Sequence, residues 1–81
     1  MLYRESIRRR DGARVEIALW RADGALGYRL ECRRGEAVLL RYARDGQGAH
    51  TRTVAGRGAP YRFRSAEQLR YDFERDLEAL A

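Results

Sequence analysis

The chain has 81 residues, with 17 basic and 12 acidic side chains and a formal net charge of +5. A sequence this short buries only about 60–65% of its unfolded surface, which leaves room for one thin core and one domain, residues 1–81. Its 44% apolar and 36% charged content excludes a disordered chain, its longest apolar runs, Ile17–Trp20 and Ala37–Leu40, are too short for a membrane helix, and the lone Cys32 excludes an internal disulfide or a cysteine-based zinc site.

Met1–Glu5 lacks the apolar stretch of a secretory leader, so the expectation is a cytoplasmic protein without membrane association. Every basic residue is arginine. A GC-rich genome accounts for arginine in place of lysine but not for its placement. Residues 1–64 carry fifteen arginines against seven acids, whereas residues 65–81 carry two against five. A basic β-meander followed by an acidic amphipathic helix is therefore expected, with the basic part open to a polyanion.

Asp11-Gly12, Asp23-Gly24, Arg34-Gly35 and Asp45-Gly46 recur about every 11 or 12 residues, the rhythm of an antiparallel meander. A three-residue loop, Arg10-Asp11-Gly12, pairs Ile7 with Val15, Tyr3 with Leu19 and Arg8 with Arg14. The second strand alternates cleanly, with Ala13, Val15, Ile17 and Leu19 on one face and Arg14, Glu16, Ala18 and Trp20 on the other. A type I′ turn at Asp23-Gly24 sets Ala22 against Ala25, and the register follows. Leu19, Ile17 and Val15 then face Tyr28, Leu30 and Cys32. On the other side Trp20 covers Gly27, while Ala18, Glu16 and Arg14 face Arg29, Glu31 and Arg33.

Val38-Leu39-Leu40 does not alternate, so either Val38, Leu40 and Tyr42 or Leu39 alone could face inward, and the first is preferred. His50–Val54 adds a short fifth strand after the Asp45–Gly48 turn. Ala55–Pro60 reads as a mobile loop, followed by a short strand at Tyr61–Phe63. Ser65 is an N-cap with Gln68 three residues on, a capping box. Ala66, Leu69, Phe73, Leu77 and Leu80 then form one apolar stripe, with Glu67, Asp72, Glu74, Asp76 and Glu78 on the other side. The expected fold is thus α+β, an antiparallel meander of four to five strands with one C-terminal helix packed on one face of the sheet.

That packing leaves open the face bearing Arg4, Arg8, Arg14, Trp20, Arg29, Arg33 and, in the preferred register, Arg41. Guanidinium groups bind phosphates bidentately and an indole stacks on bases, the combination that holds single strands. The plainer reading is that an open antiparallel face needs polar residues and this composition supplies arginine. The Glu16–Glu31 pair reads as part of a salt-bridge lattice with Arg14, Arg29 and Arg33 rather than as a catalytic or metal pair. His50 has no triad or metal partner nearby and reads as an ordinary exposed residue, Cys32 as core filler, and Tyr71 as an exposed or interface side chain. No phosphate-loop, dinucleotide or nucleophile motif is present, so no enzymatic role and no cofactor or metal is expected.

The stretch Tyr61-Arg62-Phe63-Arg64-Ser65-Ala66-Glu67-Gln68-Leu69, a strand entering a helix through a polar cap, completes an architecture. A meander closed by such a helix resembles single-stranded-DNA-binding transcriptional coactivators, Whirly proteins and Pur-type repeats, a likeness of fold alone. The expected function is sequence-tolerant binding of single-stranded DNA or RNA by the open face. The alternative is a homodimerising or protein-interaction module in which the same arginines meet an acidic partner.

Overall fold

The computed structural model describes residues 2–44 and 48–80. They form an antiparallel sheet of six strands in chain order, followed by one helix. The strands are β1 (Tyr3–Arg8), β2 (Arg14–Ala22), β3 (Ala25–Arg34), β4 (Ala37–Arg44), β5 (Thr51–Val54) and β6 (Arg57–Pro60), and the helix is α1 (Ala66–Ala79).

The first three strands pair as the alternation and turn chemistry predict. Ile7 faces Val15 and Tyr3 faces Leu19, and the Arg9 amide donates to the Ala13 carbonyl across the three-residue loop. Gly12 supplies the left-handed conformation there (φ 88°). Asp23 and Gly24 both have positive φ, as a type I′ turn requires, and Ala22 pairs with Ala25.

The fourth strand differs from the preferred pattern. A bulge at Cys32/Arg33 sets Cys32 against Leu40 and Arg33 against Val38, so Leu39 is the extra residue. Leu40 is fully buried and Leu39 also packs on the core, while Val38 shares the side of Arg33. The bulge thus converts a run without alternation into two consecutive inward leucines.

The second half of the chain contains one strand more than expected. Ala55–Pro60 is a hairpin rather than a loop: Ala55 and Gly56 both take positive φ (51° and 84°), and Arg57–Pro60 pairs with Thr51–Val54. Residues 61–65 are irregular rather than a strand, so the local likeness to a strand entering a helix does not extend to its first half. The predicted Asp45–Gly48 turn lies mostly outside the described residues.

Helix α1 starts at Ser65, whose hydroxyl accepts from the Gln68 amide at 3.1 Å. The Gln68 side chain does not return to the cap but donates to Asp72 at 2.9 Å, so only half of the capping box forms. Leu69 and Phe73 are buried and Leu77 packs beside them, whereas Ala66 and Leu80 at the two ends of the stripe are exposed. Under the helix lie Val15, Ile17, Tyr28, Leu30, Cys32, Leu40 and Tyr42. Burial pushes the Cys32 thiol up, which keeps it protonated as a core filler.

Asp72 and Asp76 are not on the outer side of the helix. Asp76 accepts from the Tyr42 hydroxyl and from Arg52 Nε at 2.8 Å, and Asp72 accepts from the Tyr61 hydroxyl at 2.6 Å. At the other flank Arg70 reaches Glu5 of β1 at 3.3 Å. Paired polar groups therefore clamp both flanks of a narrow apolar stripe, from β1 to β5. No helix among the described residues is long and apolar enough to cross a membrane.

Candidate nucleic-acid interface

The face away from α1 is built by register. Directly paired residues of antiparallel strands project to the same side, which orders the open face into cross-strand rows. One row reads Trp20, Gly27 and the next Arg4, Ala18, Arg29, Ala43. A third reads Ser6, Glu16, Glu31, Arg41 and a fourth Arg8, Arg14, Arg33, Val38. All seven residues expected on this face are in these rows, Arg41 included.

Two shallow depressions bring most of them together. Arg8, Arg14 and Arg33 surround the first, of about 340 Å³, with Gly12 and Gly35 from the adjoining turns. Arg4, Trp20, Arg29 and Arg33 line the second, of about 270 Å³, over Ala18. Glu16 and Arg33 border both, so the two are continuous. Arg41 lines neither.

Trp20 sits against Gly27 of β3. A Cβ placed on Gly27 would fall 2.5 Å from Trp20 Cε2 and closer still to Nε1, so the ring occupies the space that any other residue's side chain would need. Trp20 is half-buried there, and its remaining surface is the candidate stacking platform.

The carboxylates are arranged differently from the expected lattice. Glu31 is only 2% exposed, and its two oxygens are divided between Arg33 Nη1 at 3.3 Å and Arg41 Nε at 2.9 Å. Neither Arg14 nor Arg29 takes part. Arg41 therefore serves mainly to hold a buried carboxylate, and Arg33 is shared between that role and the open surface. Glu16, opposite Glu31, has no salt-bridge partner among the described residues and is half-buried.

Ion-paired and unpaired arginines occur on both sides of the sheet, Arg33 and Arg41 being paired on the open side and Arg21 and Arg44 unpaired on the helix side among the described residues. Across the helix side, Arg52 pairs with Asp76, Arg70 with Glu5 and Glu74, and Arg75 with Asp72 and Asp76. On the open side, Arg4, Arg8, Arg14 and Arg29 have no carboxylate within 4 Å among the described residues. Several other arginines also have no such partner, including Arg10, Arg21, Arg57 and Arg62. Arg10 and Arg62 sit in a turn and in irregular chain, and Arg21 and Arg57 on the helix side of β2 and β6, so none of them joins the open-face rows.

His50 is not the ordinary exposed residue that its sequence context suggests. Its ring stacks on Phe63 at 5.0 Å, and Nδ1 lies 2.8 Å from the Tyr28 hydroxyl. Burial, helped by Arg44, lowers its pKa. It belongs to an aromatic cluster on the helix side, across the sheet from the arginine rows. Tyr71 is 63% exposed on the outer helix surface. Among the described residues, no group of three or more His, Cys, Asp or Glu is placed to hold a metal ion.

Sequence reasoning missed the burial of Glu31 and the arginine-free state of Glu16. The signal for the first lay in the register of β4, which the bulge hides. No protein-family model, curated protein or solved structure matches the chain.

Proposed function

We propose that this protein binds single-stranded DNA or RNA on the open sheet face, in the cytoplasm and without catalysing a reaction. One observation carries the reading: Arg4 and Arg29 stand in the row next to Trp20, and Arg8 and Arg14 stand two rows further along, beyond the Glu16–Glu31 row, with no carboxylate within 4 Å of any of the four among the described residues. Four guanidinium groups without an ion-pair partner, within about 13 Å of strand length and two strand spacings, form a local positive field suited to a chain of phosphates.

The division of labour follows from the chemistry. The arginines neutralise phosphates, which supplies affinity for every sequence. Trp20, half-buried on this side, stacks an unpaired base, which a duplex keeps inside its own stack. Binding is therefore tolerant of sequence and favours single strands. The test is a titration of the protein with unlabelled single-stranded and duplex oligonucleotides at low salt, followed by Trp20 emission. Quenching by the single strand, and weaker binding by Trp20→Ala, are expected. Absence of binding at low salt would remove the proposal, and an unchanged affinity in Trp20→Ala would remove stacking from it.

A second reading rests on the outer surface of α1, where Glu67, Glu74 and Glu78 are exposed beside Tyr71. The arginine face of one copy could meet this acidic surface on another. Such a contact is head-to-tail and grows open chains unless its rotation closes. Sedimentation showing a concentration-dependent mass that collapses in salt would favour it. A constant monomer mass would exclude self-association.

A further inference from the structure

Ala18 is the smallest side chain on the β2 rows, and it lies between residues of very different chemistry. Arg4 and Arg29 flank it on the neighbouring strands, and Trp20 and Glu16 border it along its own strand. The result is a slot of about 270 Å³ bordered by the Trp20 indole, Glu16, Arg4 and Arg29, with Arg33 and the ion-paired Glu5 and Glu31 also in its lining. This is below the roughly 300–1,000 Å³ of pockets that enclose drug-sized ligands, so its scale is that of one ring system.

Glu16 is the unusual member. Directly opposed like charges destabilise a sheet, and Glu16 faces Glu31. Glu31 is relieved by Arg33 and Arg41, which occupy both of its oxygens. Glu16 is relieved by no ion pair among the described residues, although it sits amid arginines. Its two oxygens therefore have no protein partner among the described residues, and Glu16 borders the slot.

We propose that Glu16 makes this slot a guanine-preferring subsite of the single-strand interface; the inference rests on the function proposed above. Guanine alone among the common bases carries two adjacent donors on its Watson–Crick edge, N1–H and N2–H. They match the two oxygens of a carboxylate in parallel N–H···O bonds, the fork geometry that arginine uses with the same group. Adenine and cytosine place an acceptor nitrogen beside their amino group, which would face the second oxygen. Thymine and uracil place one N–H between two carbonyls. The adjoining Hoogsteen edge of guanine, O6 and N7, is the commonest base partner of an arginine fork, and Arg4 and Arg29 flank the slot.

This preference adds to sequence-tolerant phosphate binding at one position along the strand. It also supplies a second reason for single strands to be favoured, because a paired guanine has already committed N1–H and N2–H to cytosine.

The experiment uses the full chain and three single-stranded 12-mers: oligo-dT, the same strand with one central dG, and the same strand with inosine at that position. Inosine lacks only the N2 amino group. Wild type is expected to bind the dG strand about tenfold more tightly than the inosine or all-dT strand, the scale of one hydrogen bond to a charged acceptor. Glu16→Gln is expected to bind all three strands alike, with oligo-dT affinity equal to or above that of wild type because a negative charge is gone.

Equal wild-type affinities for the dG and inosine strands would overturn the subsite, as would a full dG preference in Glu16→Gln. The inosine comparison needs no variant, so a folding defect cannot hide the answer. Salt-dependent binding of oligo-dT without a dG preference would refute the subsite alone. Failure of every strand to bind would refute the interface with it.

Discussion

Replacing Gly27 by alanine separates the position of Trp20 from its presence. The Gly27 φ is not in the left-handed region, so the backbone accepts alanine without strain. The added Cβ, however, would lie 2.5 Å from Cε2 and 3.0 Å from Cδ1 of Trp20, where carbon atoms pack at about 3.5–4.0 Å. The indole must therefore leave its seat on β3 by an ångström or more. Overpacking of this kind costs about 1–3 kcal/mol, and exchanging glycine for alanine within a regular element recovers about 0.5–1 kcal/mol. A net loss of about 1 kcal/mol lowers the Tm of a domain this size by about 4–8 °C. Thermal melting by circular dichroism and the Trp20 emission maximum measure both parts. The variant should melt earlier and emit further to the red. It should also bind oligo-dT more weakly by about 1–3 kcal/mol, the worth of one stacked base, with an unchanged salt slope because every arginine is intact. An unshifted emission maximum with an equal or higher Tm would show that the ring does not rest on Gly27, and the platform argument would fail with it.

Glu31→Gln should separate stability from binding: losing the charged acceptor of two arginines destabilises by about 1–3 kcal/mol in a urea titration, yet oligo-dT binding tightens because Arg33 and Arg41 are released. Phe73→Ala, at the centre of the helix–sheet contact and fully buried, should cost about 3–5 kcal/mol in the same titration, enough to leave much of the chain unfolded. Two acid-sensitive windows are expected in stability against pH. The His50 pKa is lowered by burial and by Arg44, so the folded state binds its proton less readily than the unfolded chain, and stability falls as pH drops below about 6.5. His50→Gln should flatten that window. Burial pushes the Asp76 carboxyl up, but hydrogen bonds from Arg52 and Tyr42 and the charges of Arg52 and Arg75 bring it below its ordinary 3.8. The stability it gives is present above that value and lost as pH falls below it. Asp76→Asn should remove that lower window.

The parts of this fold legible in the sequence are those fixed locally. From β1 to β3, alternation assigns the faces and the Asp-Gly turns assign the register, so the arginine rows and the Trp20–Gly27 contact followed before any coordinates. The start of β4 was hidden because a bulge lets Leu39 and Leu40 both turn inward, and neither strict alternation nor its absence reveals a bulge. Strand β6 was hidden for a different reason. Arg-Gly-Ala-Pro has little intrinsic preference for a strand, and its hairpin relies on Ala55 in a conformation more often taken by Gly, Asn or Asp. Pro60 is tolerated because β6 is an edge. At the interface, arginine positions were legible but their pairing was not. Which carboxylate is buried depends on the β3–β4 register. Asp72 and Asp76 meet partners more than ten residues away, beyond the reach of helical periodicity.

The central claim is that Arg4, Arg8, Arg14 and Arg29 are free to neutralise the phosphates of a single strand. The salt dependence of oligo-dT binding, read from Trp20 emission over a series of salt concentrations, measures how many phosphates are neutralised. Four contacts predict that log K falls with log salt at a slope near −3, at about −0.7 per contact. A slope near zero, or no binding at the lowest salt, would contradict the account.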